Sequence, residues 1–221
     1  SELYDEGFVK SRVKGFEELV RVSSRYPPEK VEKKVGVGSR EIKEAALTFA
    51  LAKRGAILYS HGVTQHSFGT EAVKGIVNLA LITGNIGRPG TGLYPLIDES
   101  NMQGVCDMGN LPEYGPGYRR RRKRGLSLLE MIDAAARKEV EALYIDGVNP
   151  VASFPNTPMV KTALSDLDLL VVQDIFMTET AEFADVVLPA ACWAEVDGTL
   201  TSLERRVQRI NRVTTPLGES M

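Results

Sequence analysis

Cysteine is almost missing from this sequence of 221 residues: Cys106 and Cys192 lie far apart and form no C-x-x-C pair. That scarcity excludes a zinc site or an iron–sulfur cluster built in the usual way from this chain's own thiols. No uninterrupted apolar run approaches the length needed to span a bilayer. The charged, amphipathic opening SELYDEGFVK also lacks the apolar core of a signal peptide. The expectation is therefore a soluble, cytoplasmic segment with no direct membrane insertion. An excess of either charge sign is missing too, and a formal net charge of -2 gives no global reason to expect nucleic acid or an anionic surface as partner. What remains is the balance of a globular protein with a sizeable core: 43% hydrophobic residues against 25% charged.

Along the chain, helical and strand patterns alternate. Phe8, Val9, Val13, Phe16, Leu19 and Val20 recur at helical spacing, and after Tyr26-Pro27-Pro28 a short charged helix runs to about Val35 before Gly36. Ser39 is the expected N-cap of the next helix, with Glu41 in its first turn and a stripe of Ile42, Ala45, Ala46, Phe49 and Ala50. AILYS, residues 56–60, shows no polar alternation and predicts a parallel strand covered on both faces, followed by the loop HGVTQHSFGTE and a helix over 71–83. Residues 84–117 are rich in glycine and proline without sustained periodicity, which predicts a long irregular segment, functional or disordered. Regular patterns return as a helix over SLLEMIDAAARK, a strand EALYID, a turn at GVNP, a helix over 157–165, and the strands LDLLVVQD and ADVVLP. Strands joined through a helix imply a right-handed parallel crossover. The fold class is α/β.

Ligands of an open parallel sheet lie beyond the carboxyl ends of its strands. Asp174 stands at such an end, as do Gly147, Val148, Asn149 and Pro150 after EALYID, and Gln65 after AILYS. An ionised Asp accepts two parallel hydrogen bonds, which suits two adjacent N–H donors such as the N1/N2 edge of guanine. Thr178 and Thr180 are placed to cap a following helix or to bind a phosphate. The residues alone equally allow a structural reading in which Asp174 caps that short helix and does nothing else.

The ordered motifs GVTQH (62–66), LALITGNIGRPGTG (79–92), NMQGVCDMG (101–109), YIDGVNP (144–150), VVQDIFMTETAEFADVVLPA (171–190) and ERRVQR (204–209) closely resemble the molybdopterin oxidoreductase family, with formate dehydrogenase catalytic subunits as the nearest flavour. The resemblance covers most of the chain. It implies portions of two αβα-sandwich, Rossmann-like domains with mostly parallel sheets: residues 1–103 as the last part of one and 104–221 as the first part of its partner. It also implies a cleft for two molybdopterin guanine dinucleotides carrying molybdenum or tungsten. Asp174 matches the Asp that takes the guanine edge, Gly147 and Asn149 match the neighbouring turn, and Gln65 matches a loop facing the other domain. Gln103, Gln173 and Thr178 complete the implied cofactor contacts. The family's iron–sulfur domain, metal-ligating residue and C-terminal barrel have no counterpart in this sequence. It therefore reads as an internal fragment, inactive alone, whose partners are the remaining domains of its polypeptide and electron-transfer subunits. The metal-free large iron–sulfur subunit of respiratory complex I is the alternative relative, and a purely structural or protein-binding α/β domain is a third.

One departure concerns substrate. Formate dehydrogenases typically read RGQNNVQGACDMG where this chain reads IDESNMQGVCDMG, so Ile97 falls where the resemblance implies a formate-contacting Arg. An apolar side chain cannot make charge-assisted bonds to a carboxylate, and Asp98 and Glu99 add the wrong sign for an anion. No general acid/base partner accompanies those two acids, so no catalysis is assigned to them. Cys106 and Cys192 are expected to be small core residues, Trp193 and the methionines core or rim packing, and His61 and His66 hydrogen-bonding loop residues. The run RRRRKR (119–124) reads as a solvated connection or a contact with other parts of the protein, because nucleic-acid binders usually add aromatic stacking.

Overall fold

The computed structural model describes residues 3–97 and 99–220. The Asp98 of the substrate-loop reading lies outside them. The chain divides into two compact units, Ser1–Asp98 and Glu99–Met221.

The first unit is mostly helical. The apolar stripe expected as one helix forms two, α1 (Glu6–Arg12) and α2 (Phe16–Ser23), because Gly15 adopts a left-handed conformation with φ 79° between them. Asp5 caps α1 by accepting the Phe8 N–H at 2.9 Å. Helix α3 (Pro28–Val35) starts on a proline at its first turn and stops at Gly36, also left-handed. Helix α4 (Ser39–Leu51) corrects the expected cap: Gly38, not Ser39, is the N-cap, and the Glu41 carboxylate accepts the Gly38 N–H at 3.1 Å. The device is half of a capping box that works without a capping side chain.

Strand β1 (Ala56–Tyr59) is followed by α5 (His61–Thr64) and α6 (Gly69–Ile82), and then pairs in parallel with β2 (Gly92–Pro95), Ala56 opposite Gly92. The parallel pairing follows the expectation, but coverage on both faces does not: Ala56 and Leu58 are exposed, and Ile57 and Tyr59 half-buried. The 84–117 segment is likewise more regular than expected, since it supplies β2 and, in the second unit, a further helix and one strand of a small pair. Asn85, 1% exposed, holds the entry to β1 by accepting the Gly55 N–H at 2.9 Å while donating to the Thr83 hydroxyl at 3.1 Å. A buried amide satisfied at both ends fixes a loop without a strand ladder.

The second unit opens with α7 (Met102–Asp107) and a short antiparallel pair, β3 (Tyr114–Gly115) and β4 (Arg119–Arg120). Helix α8 (Leu128–Ala136) leads into β5 (Ala142–Asp146), α9 (Pro150–Ser153), α10 (Thr157–Ser165), β6 (Leu169–Asp174) and β7 (Val186–Pro189). These strands form a parallel sheet in the order β5-β6-β7, with Asp146 beside Gln173 and Asp174 beside Pro189. One face packs on α8 and α10 through Ile132, Ala135, Val160 and Leu164 against Ile145, Leu170 and Val172. Burial of such side chains stabilises by roughly 1.5–3 kcal/mol each. The unit closes with the antiparallel hairpin β8 (Gly198–Thr201) and β9 (Val207–Ile210). Among the described residues no helix is long and apolar enough to cross a membrane.

Candidate functional site

Three strands ending on one edge bring Gly147, Asn149, Gln173, Asp174 and Thr178 to the carboxyl end of the β5-β6-β7 sheet. Gly147 turns the chain out of β5 with φ 64°, and its N–H returns to the Gln173 carbonyl at 2.9 Å. A side-chain carbon built at Gly147 would meet nothing within 4 Å, so the turn borders open space. Asp174 Oδ1 accepts the Phe176 N–H at 3.2 Å, and the Ala190 N–H meets the Asp174 carbonyl at 3.0 Å. Among the described residues its Oδ2 takes no hydrogen bond. Gln173 is held by the Tyr144 hydroxyl, which donates to its Oε1 and thereby fixes the orientation of the amide.

Thr178 and Thr180 divide the roles foreseen for them. Thr178 Oγ1 accepts the Ala181 N–H at 3.3 Å, capping a single 3-10 turn at Ala181–Phe183. Thr180 is fully buried, donates to Asn149 Oδ1 at 2.7 Å and accepts the Val151 N–H at 3.2 Å. Asn149 in turn donates to Glu179 Oε2 at 2.6 Å. That hydrogen bond, followed by the contribution of the backbone, lowers the Glu179 carboxyl below the ordinary range. Glu179 is absent from the sequence-derived site.

The other two candidates stand apart from this group. Gln103, on α7, spends its amide on Asp107 Oδ1 at 2.7 Å and on the Tyr118 hydroxyl at 3.0 Å. Gln65 is exposed at the end of α5 in the first unit, its backbone N–H on the His61 carbonyl at 2.9 Å. In the same loop His66 Nε2–H donates to the Gly62 carbonyl at 2.8 Å, a hydrogen-bonding role as expected.

Several expectations are corrected. Trp193 is 78% exposed rather than packed, and Cys106 and Cys192 are only half-buried. Partial burial, followed by the neighbouring Asp107, raises the Cys106 thiol above its ordinary value. The arginine run is partly built into the fold. Arg121 donates to the Tyr114 carbonyl at 3.1 Å and the Gly109 carbonyl at 3.0 Å, and Arg124 bridges Glu113 and Glu130, each at 2.8 Å. A pocket of about 610 Å³ is a seam between helices of the first unit lined by Phe16, Leu19, Ile42, Ala46, Leu47 and Leu79. It is apolar, lined by no carboxylate, and suits helix packing rather than chemistry.

The class that the fold defines is an α/β protein with short parallel sheets. The family model for molybdopterin oxidoreductases matches residues 37–220, and the chain belongs to that family. It is 48% identical to the F420-dependent formate dehydrogenase subunit alpha of Methanocaldococcus jannaschii, over 99% of this chain and 35% of that protein. It is 41% identical to formate dehydrogenase H of Escherichia coli K12, over 97% of this chain and 33% of that protein. Acetylene hydratase from Pelobacter acetylenicus shares the fold with a TM-score of 0.79 at 24% identity, covering 100% of this chain and 35% of that one. The chain thus spans about a third of the length of these relatives. Formate dehydrogenases among the relatives do not favour the complex I alternative.

Proposed function

We propose that this chain is part of a formate dehydrogenase-like catalytic subunit and that its second unit holds the guanine end of a molybdopterin guanine dinucleotide, one of two that form a bis-pterin cleft. Asp174 carries the reading: a strand-end carboxylate with Oδ1 fixed by the Phe176 N–H and Oδ2 left to accept a further donor. Guanine presents N1–H and N2–H side by side, and a carboxylate is the side chain that accepts from both without offering a competing donor. The open turn at Gly147 leaves room for a ribose, and the Asn149 amide and Gln173 amide supply donors around it. The donor set therefore fits the group. Gln65 and Gln103 are proposed as further contacts.

When bound, the pterin pair carries molybdenum or tungsten and supplies two-electron redox chemistry; the residues of this chain bind and orient it. Iron–sulfur clusters belong to other parts of the polypeptide, and electron-transfer subunits are the proposed partners, in the cytoplasm. The whole protein's substrate is a small molecule oxidised or reduced by two electrons. Ile97 marks a difference from formate-type loops.

The test uses the full-length protein that carries this chain. Asp174→Ala and Asp174→Asn should both lower the guanine nucleotide extracted per mole of protein while thermal stability changes little. Asn should lose about as much as Ala, since its N–H opposes a guanine donor at a cost of roughly 1–3 kcal/mol. Equal nucleotide content in all three proteins would reduce Asp174 to a turn residue.

A further inference from the structure

Asn149 can face two ways, and the structure decides which. Val151 N–H is a fixed backbone donor, and it points at Thr180 Oγ1 at 3.2 Å. The Thr180 oxygen accepts there, and because the Glu179 carboxylate on the other side of Asn149 can only accept, the amide NH2 faces Glu179 and Asn149 Oδ1 takes the Thr180 proton at 2.7 Å. Thr180 is fully buried, so no water competes for either bond. Asn149 is consequently locked with its carbonyl inward and its NH2 group outward. One of those outward N–H groups is taken by Glu179 Oε2 at 2.6 Å, from an exposed side chain that leaves the turn without burying anything.

From this geometry we infer that Thr180 is a positioning residue that makes Asn149 a donor-only contact for the ribose-diphosphate oxygens of the bound nucleotide, and that Glu179 is an internal stand-in whose negative charge opposes the nucleotide there. The inference rests on the guanine-dinucleotide reading above. It goes further by naming what Asn149 recognises, an oxygen acceptor, and what competes for it. The amide has a second N–H, yet a carboxylate and a diphosphate held side by side on it repel, because both are anions. Glu179 thus satisfies Asn149 in the empty protein and lowers affinity for any anionic occupant. Its removal should strengthen binding rather than weaken it, which is the reverse of what a ligand-contacting residue would do.

The test is titration of GDP by calorimetry into the cofactor-free full-length protein that carries this chain, with wild type, Glu179→Gln, Thr180→Val and Thr180→Ser at low salt and at 1 M salt. Glu179→Gln, at an exposed position, should bind GDP about fivefold more tightly at low salt, with the advantage shrinking at 1 M, where the Debye length falls to about 3 Å. Thr180→Ser keeps the hydroxyl and should bind within about twofold of wild type, whereas Thr180→Val frees the Asn149 amide to flip and should bind about tenfold more weakly. Unchanged or weaker binding by Glu179→Gln overturns the stand-in role, and Thr180→Val binding like wild type overturns the positioning role. Either result leaves the cofactor reading standing as long as wild type binds GDP. No GDP binding by wild type overturns both.

Discussion

Asn101 Oδ1 accepts the backbone N–H of Thr201 at 2.9 Å, tying the start of α7 to β8 across a hundred residues of sequence. Gly104 makes the approach possible. A carbon added there would sit 2.1 Å from Asn101 Oδ1 and 3.0 Å from Thr201 Oγ1. Asn101 itself has φ 65°, a left-handed backbone that asparagine tolerates better than most residues. Ion pairing of Arg205 with Asp107 at 3.4 Å adds a second tie between the same helix and hairpin.

Gly104→Ala should therefore destabilise the protein by about 2 kcal/mol, through overpacking at a contact that has no slack. The sign is informative, because Gly to Ala inside a helix otherwise stabilises by about 1 kcal/mol. Urea unfolding, followed by helical circular dichroism, checks it. A midpoint above that of wild type would mean that α7 and β8 do not meet as described.

Acid should weaken the start of α8. The Glu130 carboxylate accepts the Ser127 N–H at 2.7 Å and is bonded by Arg124, and these partners, Ser127 first, lower its carboxyl from 4.5 to about 2. A depressed folded-state value means that the ionised group's contribution is complete above pH 4.5 and is lost as pH falls from there towards 2. Glu130→Gln should flatten this part of the stability curve, with the two proteins converging at the acid end. Stability measured by urea titration across that range is the check; parallel curves would remove the capping carboxylate from the account.

Ile97→Arg in the full-length protein should raise turnover of formate or other small anions, since a guanidinium offers two charge-assisted hydrogen bonds to a carboxylate. Ile97 is exposed, so the longer side chain has space without displacing core. Steady-state assays with formate and a dye acceptor measure it. Efficient formate oxidation by the unmodified protein would show that Ile97 does not set the substrate.

Where local chemistry decides a structure, the sequence was readable. Helix α10 occupies 157–165 as its Thr-Pro start and apolar spacing indicate, and Gly36 ends α3 in the left-handed conformation for which glycine is suited. Strands β5, β6 and β7 follow their apolar runs, and those runs set Asp174 at a strand end. What stayed hidden depends on register or on distant partners. Tyr144 meets Gln173 only because Asp146 pairs with Gln173 and puts the tyrosine diagonally across the same face. The Thr180 bond to Asn149 joins two loops separated by two helices and a strand, and no spacing rule contains it. The β8–β9 hairpin escaped because its tip, Leu203-Glu204-Arg205, carries no glycine or asparagine, although Arg205 takes the positive φ such a turn demands. Gln103 looked available for a cofactor; its partner four residues on, Asp107, was visible at helical spacing, but Tyr118 was not.

The claim that the β5-β6-β7 edge reads a guanine base is tested most directly by amide resonances of the isotopically labelled chain titrated with GMP and, separately, with AMP. Both nucleotides carry the same ribose phosphate, and only guanine presents paired N–H donors to a carboxylate. GMP should shift the backbone signals of Gly147, Asn149, Asp174 and Phe176 in a saturable way, with AMP causing much smaller changes at Asp174 and Phe176. Equal shifts with both nucleotides, or shifts confined to other parts of the chain, would contradict the account.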